Sequence, residues 1–259
     1  MTINITGTSS QYPPAAAGAR VMSWMPLRFI WGLWVYALVI PVVLLAALPI
    51  LLLPGLTARR RAAAAVCRGY FRLCGLSARR VGLERLPPSA CVIVANHASY
   101  VDGPLLFACL PPRIGFVIKK EASRAPLLGT LLQRLGHHFV ERRNRHEGAS
   151  DARRILRILE HGEAAAFFPE GTFHPEPGIA RFHGGAFALA ARSSLPVAPV
   201  AIRGTRHVLG GGRTWPRWGR IEIEVLEPLP AQAGGGDAAT QLRDAARERI
   251  AEAVGEPLS

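Results

Sequence analysis

Ile93 to Gly103 reads IVANHASYVDG: an apolar run ends in an Asn–His pair, and a carboxylate follows five residues after the histidine. The apolar half, from Cys91 to Ala95, reads as a buried strand. Asn96 and His97 then fall just past its carboxyl end, where open α/β sheets place their reactive groups. On one continuous helix His97 and Asp102 would not share a face. They meet if His97 lies on the turn and Asp102 in the first turn of a following helix, with Ser99 as N-cap and Pro104 tolerated early. Asp102 then accepts the proton of one imidazole nitrogen and leaves the other as acceptor for a substrate hydroxyl, the arrangement of a general base and its orienter. The alternative is a histidine satisfied by polar neighbours at a strand end.

Outward from this stretch, short apolar runs alternate with helical patterns. Strands are expected over Cys91–Ala95, Gly115–Ile118, Phe139–Val140 and neighbours, Ala164–Phe168, Val197–Ile202 and Ile221–Leu226. Helices are expected over Leu105–Leu110, Pro126–Leu135, Ala152–His161, Gly185–Arg192 and Ala238–Val254. In SDARRILRILEHG the apolar Ile155, Leu156, Ile158 and Leu159 recur at helical spacing, Ser150 or Asp151 caps the start, and Gly162 follows the end. The alternation predicts an α/β fold, a mixed, largely parallel sheet flanked by helices. PAQAGGGDAATQ, Pro230 to Gln241, reads as a linker before the last helix. Pro169, Glu170 and Gly171 follow AAAFF as Asn96 and His97 follow their strand, so the two polar clusters can meet in one cleft.

From Phe29 through Ala58 there is no charged residue. A straight helix that long would reach about 45 Å, beyond the ~30 Å core of a bilayer. Pro41, Pro49 and Pro54 interrupt it, so the geometries to weigh are one long kinked span and a helical hairpin dipping into the membrane, with the hairpin slightly favoured. Residues 1–22 read as a disordered polar tail with no basic start, which argues against a cleaved signal peptide. Residues 23–62 read as a hydrophobic membrane anchor, 63–229 as the catalytic domain, and 230–259 as linker and last helix of that domain.

The net charge of +13, from 31 Lys plus Arg against 18 Asp plus Glu, favours anionic partners: nucleic acid, phospholipid headgroups or phosphorylated substrates. Seven arginines between Arg59 and Arg80 follow the apolar run directly. Placed there, they are expected to hold the segment on an anionic leaflet, each contributing about 1 kcal/mol, and to mark the cytoplasmic side of a plasma or inner membrane. The four cysteines form no CxxC pair and sit among apolar neighbours, as buried reduced thiols do. There is no GxSxG, GxGxxG or P-loop, which removes serine-elbow hydrolases and the common nucleotide folds.

The pattern Asn96-His97, Ser99-Tyr100, Asp102 resembles the first motif of the glycerophospholipid acyltransferase family, which includes the 1-acylglycerol-3-phosphate acyltransferases. GHHFVERRN, Gly136 to Asn144, resembles its second block, FFPEGTF, Phe167 to Phe173, its third, and LPVAPVAIRGT, Leu195 to Thr205, its fourth, all in family order. RFHGGAF, Arg181 to Phe187, resembles the segment that follows the third block. The resemblance implies transfer of a fatty acyl group from acyl-CoA or acyl carrier protein to the hydroxyl of a lysophospholipid acceptor, with His97 and Asp102 catalytic. It implies no metal and no cofactor beyond the acyl donor, and membrane phospholipids rather than nucleic acid as the anionic partner.

For the acceptor, Glu170, Gly171, Thr172, Arg142 and Lys120 are the expected contacts, with Asn96 and Ser99 supporting. Glu170 suits hydroxyls or a nearby arginine, Gly171 permits close backbone approach, and the Arg142 fork suits a phosphate. Arg142 also reads as a surface cation of the run ERRNRHE, and Lys120 as one of a solvated lysine pair. Two departures bear on the acceptor: Thr172 is followed by Phe173, His174 and Pro175, and His183 stands where the family usually presents a lysine. They leave room for another lyso-lipid, such as a lyso-ornithine lipid, or for thioester hydrolysis. A non-catalytic basic membrane scaffold is a third reading.

Overall fold

The structure, a computed structural model, describes residues 25–141, 145–230 and 236–259. Seven strands form one sheet in the order β1-β7-β6-β2-β5-β3-β4. They are β1 (Ala78–Val81), β2 (Val92–Ala95), β3 (Ile114–Lys119), β4 (His138–Val140), β5 (Ala164–Phe167), β6 (Val197–Arg203) and β7 (Ile221–Val225). Every neighbouring pair is parallel except β6 and β7. The expected mixed, largely parallel α/β architecture is therefore what the chain adopts.

Covering both faces makes the central strands apolar on both sides. Along β2, Val92 and Val94 enter one core with Phe182, Phe187, Leu242 and Ile250, while Ile93 and Ala95 enter the other with Phe71, Leu105 and Leu106. The first core is roofed by α6 (Arg145–Glu160), α7 (Gly185–Arg192) and α9 (Gly236–Val254), and the second by α3 (Leu56–Leu73) and α4 (Asp102–Cys109). α9 begins inside the stretch expected as linker, with Asp237 in its first turn and the good helix formers Ala238 and Ala239 next.

β1 was not foreseen, because ARRV reads as part of the arginine run. As an edge strand it tolerates charge, and Arg79 pairs with Glu222 on β7 at 2.9 Å. The arginine run is not one solvated face either. Arg60 is 2% exposed and donates to the carbonyls of Leu135, Pro112 and Gly136.

The apolar segment forms α1 (Met25–Ala37) and α2 (Val39–Leu52). Only Leu38 separates them, and it keeps helical dihedrals while bonds from Leu38 to Trp34 and Val42 to Leu38 carry the ladder across. The result is one helix running on through Leu38 rather than the favoured hairpin of two apolar arms. The reversal comes later, at Gly55, whose φ of +79° turns the chain into α3, packed against α2. One side of this helix is buried through Val35, Ala47 and Ile50; the opposite side exposes Ile30, Leu33, Ile40, Leu44, Leu45, Leu48 and Leu52. Pro26–Leu52 is long and apolar enough to cross a membrane.

Candidate active site

β2 and β5 lie side by side, yet the chain leaves them in opposite directions. From β2 it passes through α4 toward β3, and from β5 through α7 toward β6 on the far side of β2. Loops that diverge so leave a crevice at the carboxyl ends of the strands. His97 and Glu170 occupy it.

The His97 ring nitrogen Nδ1 lies 3.0 Å from Asp102 Oδ2. A carboxylate only accepts, so Nδ1 carries the proton and Nε2 is left as an acceptor. The same Oδ2 accepts the backbone N–H groups of Ala98 and Ser99, each at 2.7 Å, and Asp102 is fully buried. Asp102 thus braces the turn and orients the ring together. Ser99 is not the helix N-cap that the sequence suggested, since that position is Val101; Ser99 Oγ accepts the Val101 N–H at 3.3 Å while its hydroxyl donates to the carbonyl of Leu209 at 2.6 Å.

Asn96 extends the β2–β6 ladder by one side chain. Its amide donates to the Ile202 carbonyl at 3.0 Å and accepts the Ile202 N–H at 2.7 Å. Glu170 Oε1 accepts the His97 N–H at 2.7 Å and Oε2 that of Ala180 at 3.0 Å. Burial pushes the Glu170 carboxyl up, against the pull of those two backbone donors. Gly171 turns the chain at φ +79°, and Thr172 is exposed beside it. His183 is exposed too, its backbone N–H held by the Pro169 carbonyl at 2.8 Å.

Aromatic rings wall the histidine, which sequence reasoning did not anticipate. His97 stacks on Phe168 at 4.3 Å and meets the edge of Phe173 at 4.6 Å, and Phe173 meets Tyr100 at 4.7 Å. In the sequence Phe173 reads as the end of the third block and as a departure after Thr172, and its distance from His97 along the chain gives no hint of contact.

Lys120 opens a 3₁₀ turn after β3, half-buried. Because β2, β5, β3 and β4 run parallel, Lys120 stands at the same sheet edge as His97, two strands away. Arg142 follows β4 but lies outside the described residues. Three strand spacings from β2 to β4 amount to about 14 Å along that edge. Among the described residues no cluster of three or more His, Cys, Asp or Glu suited to a metal ion occurs.

A family model described as Acyltransferase matches residues 78–203, from the edge strand to the end of β6. The chain is 32% identical over 177 residues to a 1-acyl-sn-glycerol-3-phosphate acyltransferase of Chlamydomonas reinhardtii, covering 67% of this chain and about half (52%) of that protein. It is 32% identical over 200 residues to a lyso-ornithine lipid O-acyltransferase of Pseudomonas aeruginosa, covering 67% of this chain and 72% of that one. In fold it is similar to the crystal structure of the 1-acyl-sn-glycerophosphate acyltransferase PlsC from Thermotoga maritima, with a TM-score of 0.73, 21% identity, and coverage of 89% of this chain and 95% of that one. With its His97–Asp102 pair in the crevice and these relatives around it, the chain belongs to the acyltransferase family that includes the 1-acyl-sn-glycerol-3-phosphate acyltransferases.

Proposed function

We propose that this protein transfers a fatty acyl group from a thioester donor, acyl-CoA or acyl carrier protein, to the free hydroxyl of a lysophospholipid, 1-acylglycerol-3-phosphate foremost, giving phosphatidic acid. The observation that carries this reading is the 3.0 Å contact between His97 Nδ1 and Asp102 Oδ2, which leaves Nε2 as a base. The acceptor hydroxyl donates to Nε2. As its oxygen attacks the thioester carbonyl carbon, the proton passes to the imidazole, and the Asp102 carboxylate stabilises the imidazolium. The C–S bond of the tetrahedral adduct then breaks, and the carrier thiolate takes the proton. Positioned base catalysis of this kind contributes typically about 10²- to 10⁴-fold. The route needs neither a metal nor a covalent enzyme intermediate.

The exposed apolar side of α1 and α2 suits insertion into a leaflet where a single-chain acceptor resides. The arginines beyond it favour the cytoplasmic face of a plasma or inner membrane, where thioester donors are found. The Pseudomonas relative named for lyso-ornithine lipid supports a second reading, the same chemistry on that acceptor.

The test is to incubate detergent-purified protein and His97→Ala with labelled palmitoyl-CoA or palmitoyl carrier protein and a panel of lyso-lipids. Acylated lipid that vanishes in the variant is expected, and the panel names the acceptor. Free fatty acid alone would make the protein a thioesterase; turnover indifferent to His97 would end the proposal.

A further inference from the structure

Between α1 and the loop after the short helix α8 (Thr205–Leu209) lies an open cleft of about 450 Å³, lined by Arg28, Arg213, Arg217, Trp215 and Pro175 among others. No carboxylate lines it, and among the described residues none of the three guanidinium groups has an acidic partner. Nearby arginines are treated differently: Arg206 pairs with Glu256, and Arg203 with Glu222 and Glu224. Burial first, then Arg213 and Arg28, holds the Arg217 guanidinium below its ordinary value. Like charges gathered without a counter-charge repel, and an anion in the cleft turns that repulsion into attraction. Guanidinium forks suit phosphate oxygens in particular.

Two neighbours say what carries the phosphate. Trp215 stacks on Phe29 of α1 at 4.9 Å and meets the edge of Tyr36 at 5.8 Å. Gly32 makes room for it, since a Cβ there would stand 2.3 Å from the indole. The cleft is thus pinned to the helix that exposes Phe29, Ile30 and Leu33, and Trp and Tyr favour the depth of lipid headgroups. On its other side it abuts the catalytic loops. Gly211 packs on His174 and Pro175, next to the Phe173 that touches His97, and the Leu209 carbonyl accepts the Ser99 hydroxyl and the Tyr100 N–H. This is the β6 flank of His97, opposite to the flank of Lys120 and β4.

We propose that Arg28, Arg213 and Arg217 form a binding site for the phosphate of a lipid whose acyl chain lies along the exposed face of α1. The lipid is either the lysophospholipid acceptor, a source that rests on the transferase reading, or an anionic lipid of the bilayer, which does not. An ornithine headgroup carries no phosphate, so lyso-ornithine lipid lacks the group that these guanidinium forks suit best.

Binding is measured without turnover. Full-length protein in neutral detergent is titrated with 1-acylglycerol-3-phosphate and with monoacylglycerol, and separately mixed with phosphatidylglycerol or phosphatidylcholine vesicles. Arg213→Gln/Arg217→Gln is expected to weaken binding of 1-acylglycerol-3-phosphate or of phosphatidylglycerol vesicles about 10- to 100-fold and to leave monoacylglycerol and the zwitterionic phosphatidylcholine vesicles unaffected. Arg213→Lys/Arg217→Lys restores part of the loss. Arg28→Gln, on the exposed helix, repeats the test without disturbing the loop. A loss for 1-acylglycerol-3-phosphate with a matching rise in acceptor KM identifies the acceptor; a loss confined to phosphatidylglycerol vesicles identifies the bilayer lipid. Unchanged binding of every phosphate lipid overturns the site, as does an effect confined to the KM of acyl-CoA. Arginine-dependent binding in a protein that transfers no acyl group would keep the site and sink the transferase reading.

Discussion

Glu170 Oε1 accepts the backbone N–H of His97 at 2.7 Å, tying the strand end after β5 to the one after β2. With its other oxygen on Ala180, the carboxylate positions the histidine and has little left for a substrate. In Glu170→Gln the amide must turn its NH2 toward one of the two N–H donors. Losing a buried acceptor costs roughly 1–3 kcal/mol, so kcat is expected to fall about 10- to 100-fold with the acceptor KM little changed. A raised KM with kcat intact would instead make Glu170 an acceptor ligand.

Asp102→Asn keeps an oxygen for the N–H groups of Ala98 and Ser99 but removes the charge facing His97. The variant is expected to melt close to the wild type and to lose about 10²- to 10⁴-fold in kcat. Steady-state kinetics beside a melting curve checks this, and full activity would show that His97 works without its orienter.

Arg60 and Arg61 are chain neighbours with opposite surroundings. Arg60 is 2% exposed with its donors on three carbonyls, whereas Arg61 is exposed. Arg60→Ala leaves those carbonyls unpaired and is expected to cost about 3 kcal/mol, lowering the melting temperature by roughly 6–12 °C. Arg61→Ala is expected to leave melting unchanged and to weaken binding to anionic vesicles by about 1 kcal/mol.

His137 and His138 are buried, and burial, then the nearby Arg60, pushes their pKa values down from 6.5 to about 3 and about 4. The His137 Nδ1 also accepts the Phe116 N–H, which only the neutral ring can do. Below 6.5 the unfolded chain takes up these protons while the folded chain does not, so stability falls with pH from about 6.5 down to about 4. Melting temperatures at pH 7 and pH 5 should show this drop. His138→Gln, which binds no proton, is expected to drop less; an equal drop would place the acid sensitivity elsewhere.

The central strands and the His97–Asp102 pair were legible because each depends on local pattern. VIVA and VAPVAIR are largely apolar runs bounded by turns, and a turn followed by a helix is a local device that brings a histidine to a carboxylate. β1 was hidden because an edge strand needs no apolar face, and Arg79 there is satisfied by a partner 143 residues away. Glu170 stands out in the sequence as an expected acceptor contact, but its partners are the backbone groups of His97 and Ala180, which no side-chain motif announces.

By itself the sequence determined the sheet class, the charge-free apolar segment, the approach of His97 to Asp102 and the family, since periodicity, charge-free length and short-range spacing all act within a few turns of chain. The tertiary structure alone decided which polar groups meet across strands. It buried Arg60 beside exposed Arg61, put Phe173 against His97, and gathered Arg28 with Arg213 and Arg217 beside Trp215. Those outcomes follow from how β5 and β6 flank β2 and where α1 docks, and long-range packing of that kind leaves no periodic trace along the chain.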